Sequence, residues 1–271
     1  MNWGTLSRAE RDAAYDNVGA VKNSAELNAA RAEASVAFRQ AHAGHLDLRY
    51  GTRERNTWDL FPSSQANAPC LVFIHGGYWQ RNSKDQFGSL MAGPHAIGWS
   101  AALPGYTLAP EASLTEIAAE IRTALDWLAT NGAAHGITGP IVLSGWSAGG
   151  HLTALCLDHP IVRAGLAISG IFELGPLRET NLNEKLRLTD TEIATLSPLR
   201  LPMIDKPLGI AYGTAELPPL VSDSRDLHAR RSAAHLPGSL IPFAGGDHFT
   251  IVNELRDERG ILTRHLPTLL A

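Results

Sequence analysis

Ile141-Val-Leu-Ser144-Gly145-Trp146-Ser147-Ala148-Gly149-Gly150-His151 is the stretch on which the reading of this chain turns. The apolar run Ile141 to Leu143 gives way to small residues with Ser147 at their centre. Ala148 then opens a segment of helical texture that runs to Leu157. A serine on a tight strand-to-helix turn has its hydroxyl thrust out of the fold. The residues two places away on either side must be small, or they collide with the neighbouring strand and helix. Gly145 and Gly149 meet that need. The new helix also aims its positive N-terminal end at the hydroxyl.

Outward from this turn, short apolar runs recur at Leu71–Ile74, Ser100–Leu103, Ala164–Ile168, Leu208–Tyr212 and Leu240–Phe243. Such runs suit strands buried on both faces of a parallel sheet. Helical patterns separate them. Glu116–Ala129 carries Ile117, Ile121, Leu125 and Leu128 at helical spacing, and Ala148–Leu157, Val221–His235 and Thr250–His265 read as further helices. Strand alternating with helix implies an α/β class, with one mostly parallel, doubly wound sheet and helices on both faces. His45–Tyr50 and Asn56–Phe61 alternate around Gly51-Thr52 and read as an antiparallel pair. Residues 171–206 exceed what a simple connection needs, and Thr189-Asp-Thr-Glu192 starts a short helix there. This segment reads as a small cap insertion over the sheet edge.

Residues 1–44 read as a helical arm ahead of a main domain at 45–271. Ser7 with Glu10, and Asn23 with Glu26, mark capping-box helix starts, and Gly44 is placed to stop the second helix. The arm cannot bury much alone, so it lies on the main domain or on a partner.

The chain has 271 residues, 44% hydrophobic and 18% charged, with a formal net charge of -4. That balance is ordinary for a globular domain and argues against a nucleic-acid partner or an acidic membrane surface. Cys70 and Cys156 sit in apolar runs and read as buried thiols without a disulfide. Met1 to Gly4 offers neither a basic nor an apolar leader region. No run approaches the length of about 18 apolar residues that a membrane span needs. A cytoplasmic protein is the expectation. There is no H-E-x-x-H, no paired C-x-x-C, no Walker loop and no G-x-G-x-x-G after the first parallel strand, so no metal, nucleotide or dinucleotide cofactor is expected.

A serine hydroxyl needs a base to become a nucleophile. Behind a serine of this kind, the acid and then the histidine follow in chain order. His248, in Gly245-Gly-Asp-His248-Phe, lies after the last strand and is the expected base. Glu216 is the first carboxylate after the Leu208–Tyr212 strand and is the expected acid. Asp223 is its rival, placed at a helix start where aspartate is a routine cap. Asp247 reads as a loop residue. The strand Leu71–Ile74 ends in His75-Gly76-Gly77-Tyr78-Trp79, which suits an oxyanion loop. Backbone N–H groups of Gly76, Gly77 and Ala148 would donate to the developing charge, while His75 braces the loop. Tyr78, Trp79 and Trp146 flank the site, either as an aromatic wall for substrate or as core packing. His151 reads as packing at the sheet edge. A non-catalytic binding protein of the same fold would show a damaged triad or oxyanion loop, and both are complete here.

His75-Gly-Gly-Tyr-Trp79, Tyr106-Thr-Leu-Ala-Pro-Glu111 and Gly145-Trp-Ser-Ala-Gly149 resemble the hormone-sensitive-lipase-like branch of the α/β hydrolases. Within that branch, His75 to Gln80 followed by Lys84 and Asp85 is similar to the kynurenine formamidase, or arylformamidase, family. The resemblance covers residues 45 to 265. It implies the α/β-hydrolase fold and puts the family's serine, acid and histidine at Ser147, Glu216 and His248. Many relatives have aspartate where this chain has glutamate. The implied activity is hydrolysis of a small amide or ester through an acyl-enzyme, with N-formylkynurenine as the implied substrate and no cofactor. A carboxylesterase acting on short-chain esters, or an amidase or imidase acting on another small amide, would share the fold and triad. The expected partners are a small-molecule amide or ester substrate and, through the arm, a second copy of the chain, with no nucleic acid and no membrane. The arm either closes the site or joins two subunits as a homodimer.

Overall fold

The computed structural model describes residues 3–271. Met1 and Asn2, the first residues of the stretch read for a leader, lie outside the described residues.

Eight strands form one sheet: β1 (His45–Arg49), β2 (Thr57–Phe61), β3 (Cys70–Ile74), β4 (Ser100–Pro104), β5 (Ile141–Trp146), β6 (Val162–Ile168), β7 (Leu208–Gly213) and β8 (Gly238–Phe243). Their order is β1-β2-β4-β3-β5-β6-β7-β8. The β1–β2 and β2–β4 pairs are antiparallel, and every pair from β4–β3 to β7–β8 is parallel. The apolar runs therefore became the inner strands, except Leu240–Phe243, which lies in the half-exposed edge strand β8. β3, β4, β5 and β7 are buried along their whole length.

Ten α-helices accompany the sheet among the described residues: α1 (Arg8–Ala13), α2 (Asn17–Ala20), α3 (Ser24–Ala41), α4 (Ala92–Ala96), α5 (Leu114–Asn131), α6 (Ala148–Leu155), α7 (Asn183–Leu186), α8 (Asp190–Leu196), α9 (Pro218–Ala233) and α10 (Ile261–His265). Side chains alternate across the sheet as a pleat requires. Cys70, Val72 and Ile74 join the core under α5 and α6, with Ile117, Ile121, Leu125 and Leu152. Leu71 and Phe73 join the opposite core with Phe38 of α3, Val252 and Leu262.

Local signals for helix starts were uneven. Ser7/Glu10, Ser113/Glu116 and Thr189/Glu192 all form complete capping boxes. Asn23 does precede α3, but its side chain makes no capping bond, because its backbone (φ -101°, ψ 20°) is not the extended form that aims a cap at the helix. Gly44 does not cap α3, which ends at Ala41. A Cβ on Gly44 would lie 2.7 Å from the Leu60 carbonyl, so the glycine allows close approach to β2.

The helix expected over Thr250–His265 is broken. A 3-10 turn at Ile251–Leu255 and α10 replace it. Gly260 packs where a Cβ would be 2.1 Å from the Glu254 carbonyl, and the Glu254 carboxylate caps the new start by accepting from the Ile261 N–H at 2.9 Å. Residues 171–206 hold α7, α8 and two 3-10 turns. Glu192 ties them down by accepting from both the N–H and the hydroxyl of Thr115 at the start of α5. No described helix is long and apolar enough to cross a membrane. Cys70 and Cys156 are free and buried.

Candidate active site

Ser147 stands between β5 and α6 with φ 59° and ψ -117°, a backbone region that side chains rarely enter. Its own N–H donates to the Ile168 carbonyl at 2.8 Å. The flanking glycines are required sterically. A Cβ on Gly145 would lie 2.3 Å from the Gly149 carbonyl oxygen, and one on Gly149 would lie 2.0 Å from that of Ile74.

Glu216 and His248 come from loops after β7 and β8, and those loops are stitched together. Ala215 N–H donates to the Gly246 carbonyl at 2.9 Å, and Gly245 N–H donates to the Thr214 hydroxyl at 2.8 Å. Gly213 makes room, since a Cβ there would sit 2.2 Å from the Gly246 carbonyl. His248 Nδ1 meets Glu216 Oε2 at 2.9 Å. The other carboxylate oxygen, Oε1, accepts from the Ser169 hydroxyl and from the Gly213 N–H, each at 2.6 Å. The Glu216 side chain is fully buried. A carboxylate held by three donors stays oriented, and only an Nδ1–H imidazole can be the third donor.

Asp223 lies elsewhere. Proline at the first turn starts α9 at Pro218, so Asp223 falls inside the helix rather than at its cap. It accepts from the N–H groups of Phe172 (2.6 Å) and Glu173 (3.0 Å) and does not touch His248. Burial pushes its pKa up to about 7. Asp247 accepts from the Phe249 and Thr250 N–H groups, each at 2.8 Å, and shapes the loop that carries the histidine.

Gly76 lies directly against the serine turn. A Cβ there would be 2.6 Å from the Trp146 carbonyl and 3.0 Å from Ser147 Cβ. Gly77 has φ 124°. His75 braces this loop, with Nδ1 2.9 Å from the Gly76 carbonyl and its ring stacked on Tyr106 at 4.2 Å. Burial drops its pKa to about 3, so it stays neutral. His151 is also neutral, its pKa lowered to about 4 by burial, and its Nε2 bonds the Leu196 carbonyl at 2.7 Å.

The three aromatics expected at the site separate. Trp146 Nε1 donates to the His248 carbonyl at 2.8 Å, and its ring lies 4.8 Å from the imidazole. Tyr78 donates to the Tyr15 carbonyl at 2.7 Å and accepts from Asn17 Nδ2 at 3.0 Å. Trp79, by contrast, is wholly buried, packs edge-on against His151 at 5.0 Å, and is absent from the wall of the cavity beside Ser147. Its apolar surface belongs to the core, and this corrects the expectation of a substrate wall.

That cavity, of about 80 Å³, is shared by Ser147, His248, Trp146, Tyr78 and Gly77 with Tyr15, Asn17 and Asn28. Among the described residues the Ser147 hydroxyl makes no hydrogen bond and stands free in the cavity. The N-terminal arm thus forms part of the wall. Ser169, Tyr15 and Asn17 had no motif to mark them. Ser169 did have a positional signal, since it follows β6 directly at the carboxyl edge where this sheet gathers its polar groups. A larger cavity of about 430 Å³, between α5, α6 and the 195–204 segment, contains none of these residues.

One acidic cluster has the donor set of a metal site. Carboxylates of Asp47, Asp59 and Asp85 converge. The Lys84 ammonium already sits among them at 2.7, 2.6 and 3.2 Å, and Arg39 reaches all three. The protein supplies the cation itself. Lys84 and Asp85 of the recognised string therefore hold β1, β2 and α3 together.

Comparison with known proteins fits this architecture. A family model described as BD-FAE matches residues 59–157, which span β2 to the end of α6 and include the His75–Gly77 loop and Ser147. Kynurenine formamidase of Danio rerio is 29% identical over 238 residues, covering 82% of this chain and 80% of its own. A solved structure from Silicibacter sp., provisionally described as a thioesterase, is 30% identical with a TM-score of 0.84, covering 97% of this chain and 99% of that one. An esterase of Pyrobaculum calidifontis shares the fold at 15% identity, with a TM-score of 0.73 over 97% of this chain and 98% of its own. With its serine turn, its strand order and these relatives, the chain belongs to the α/β-hydrolase superfamily.

Proposed function

We propose that this chain is a serine hydrolase that cleaves a small amide or ester, an arylformamidase-like enzyme acting on N-formylkynurenine-type substrates. The observation that carries the reading is the His248–Glu216 bond at 2.9 Å on the wall of the cavity that holds the free Ser147 hydroxyl. Ser147 Oγ attacks the carbonyl carbon while His248 Nε2 takes its proton. The tetrahedral oxyanion receives the N–H groups of Gly76, Gly77 and Ala148. Collapse expels the amine or alcohol, which takes the proton from His248. Water then attacks the acyl-enzyme with His248 again as base, releasing the acid and restoring Ser147. Glu216 holds the imidazole tautomer and stabilises the imidazolium. A cavity of about 80 Å³ suits a formyl-sized acyl group.

The test compares kcat/KM for N-formylkynurenine and for 4-nitrophenyl acetate. Preference for the formamide supports the reading, and negligible formamide turnover beside rapid ester turnover assigns a carboxylesterase instead. Fluorophosphonate labelling should be lost in Ser147→Ala. Wild-type protein that takes no label would mean a binding protein on a hydrolase fold.

A further inference from the structure

The cavity at Ser147 shares three of its wall residues with a second space. Tyr15, Asp16 and Arg81 line both it and an outer cleft of about 410 Å³ between α1 and the 181–182 segment. The inner chamber is small and the outer one roomy. A substrate with its carbonyl at Ser147 would put a small acyl group inside and direct a larger leaving group outward, past those three residues.

Among the described residues Arg81 is the only lysine or arginine lining either space. It forms no ion pair with any described residue. The acids on the same rim are engaged: Asp16 accepts from the Gly19 N–H at 2.9 Å, and Asp12 accepts from Arg8 Nε at 3.2 Å and from the Asn181 N–H at 2.6 Å. The loop under Arg81 is held in place. Tyr78, Trp79 and Asn82 all have positive φ. The loop is pinned by Arg81 N–H to the Gly77 carbonyl at 3.0 Å, Asn82 Nδ2 to the Gly76 carbonyl at 3.0 Å, Gln80 Nε2 to the Leu182 carbonyl at 2.8 Å and Ala109 N–H to the Trp79 carbonyl at 2.8 Å. An unpaired guanidinium is therefore carried on a fixed backbone where the two spaces share a wall.

We propose that Arg81 is a specificity-determining residue that binds a carboxylate on the leaving group. The preferred substrates are then small-acyl amides or esters whose leaving group is anionic. A guanidinium fork matches a carboxylate with two parallel hydrogen bonds. The rim is open to solvent, so the attraction is sensitive to salt. Asp12 and Asp16 weaken it without cancelling it.

This inference rests on the hydrolase reading, but its test does not need a formamide. Two aryl esters with one acyl group are compared: neutral 4-nitrophenyl acetate and anionic 3-carboxy-4-nitrophenyl acetate. In wild type, KM for the anionic ester should rise with added salt while KM for the neutral ester does not. Arg81→Gln should lower the anionic-to-neutral ratio of kcat/KM by about tenfold or more, mainly through KM. Arg81→Lys should fall between the two. A ratio that Arg81→Gln leaves within about twofold of wild type overturns the proposal. The absence of a differential salt effect in the unaltered protein also overturns it, and that measurement needs no variant to fold. If both esters turn over but N-formylkynurenine does not, the formamidase reading fails while the Arg81 result stands.

Discussion

Glu216→Gln swaps one carboxylate oxygen for an NH₂ group in a site where all three neighbours are donors. Oε2 accepts from His248 Nδ1 at 2.9 Å, and Oε1 accepts from Ser169 Oγ and Gly213 N–H, each at 2.6 Å. A glutamine with its NH₂ toward the histidine donates to Nδ1. The ring proton must then move to Nε2, where the imidazole can no longer take a proton from Ser147. With the NH₂ turned the other way, two donors face each other at the Gly213 N–H, and a buried donor is left unpaired at a cost of about 1–3 kcal/mol. The first arrangement avoids that cost, so the wrong tautomer dominates. Wrong-tautomer variants of comparable triads lose about 10⁴ in kcat, near 5.5 kcal/mol of barrier. The melting temperature should fall by only a few degrees. The assay is steady-state hydrolysis of 4-nitrophenyl acetate, with circular dichroism as a folding control and Asp223→Asn in parallel. Asp223 serves the Phe172 and Glu173 N–H groups, so its variant should keep kcat within about tenfold of wild type. A folded Glu216→Gln enzyme retaining more than about a tenth of wild-type kcat, or an Asp223→Asn enzyme equally crippled, would refute the reasoning.

Gly76→Ala should cut kcat by about 10² or more, since its Cβ would press within 2.6 Å of the Trp146 carbonyl and displace the proposed oxyanion donors; ester turnover close to wild type would count against that loop. Tyr15→Ala should merge the inner cavity with the outer cleft, broaden the acyl-chain profile from acetyl toward hexanoyl esters, and destabilise the fold by about 3 kcal/mol. An unchanged chain-length profile in a folded Tyr15→Ala protein would show that the arm does not limit the acyl group. Asp223 should also shape stability against pH. Its folded pKa is raised to about 7 by burial, so the folded chain holds a proton that the unfolded chain releases near pH 4. Stability from this group therefore falls as pH rises from about 4 to about 7. Melts at pH 5 and pH 8 should show a smaller drop for Asp223→Asn than for wild type, and equal drops would contradict it.

Much of the fold was legible because it rests on short-range rules. Apolar runs of three to five residues became strands, the capping boxes at Ser7 and Thr189 started helices, and small residues around Ser147 announced a turn that tolerates no side chain beside it. The broken helix after Thr250 was not legible. Its cause is a glycine packed on a carbonyl six residues earlier, and hydrophobic spacing says nothing of such contacts.

The site divides along the same line. Residue type and chain order alone marked Ser147, His248, the His75–Gly77 loop and two candidate acids. Only the tertiary structure separated Glu216 from Asp223, because the choice depends on how the loops after β7 and β8 are sewn together at Ala215–Gly246 and Thr214–Gly245. It likewise moved Trp79 into the core, brought Ser169 onto the carboxylate and laid Tyr15 and Asn17 across the cavity. Periodicity and turn chemistry act over a few residues and can be read along the chain. A hydrogen-bond partner forty-seven residues away is chosen by packing, and packing exists only once the chain has folded.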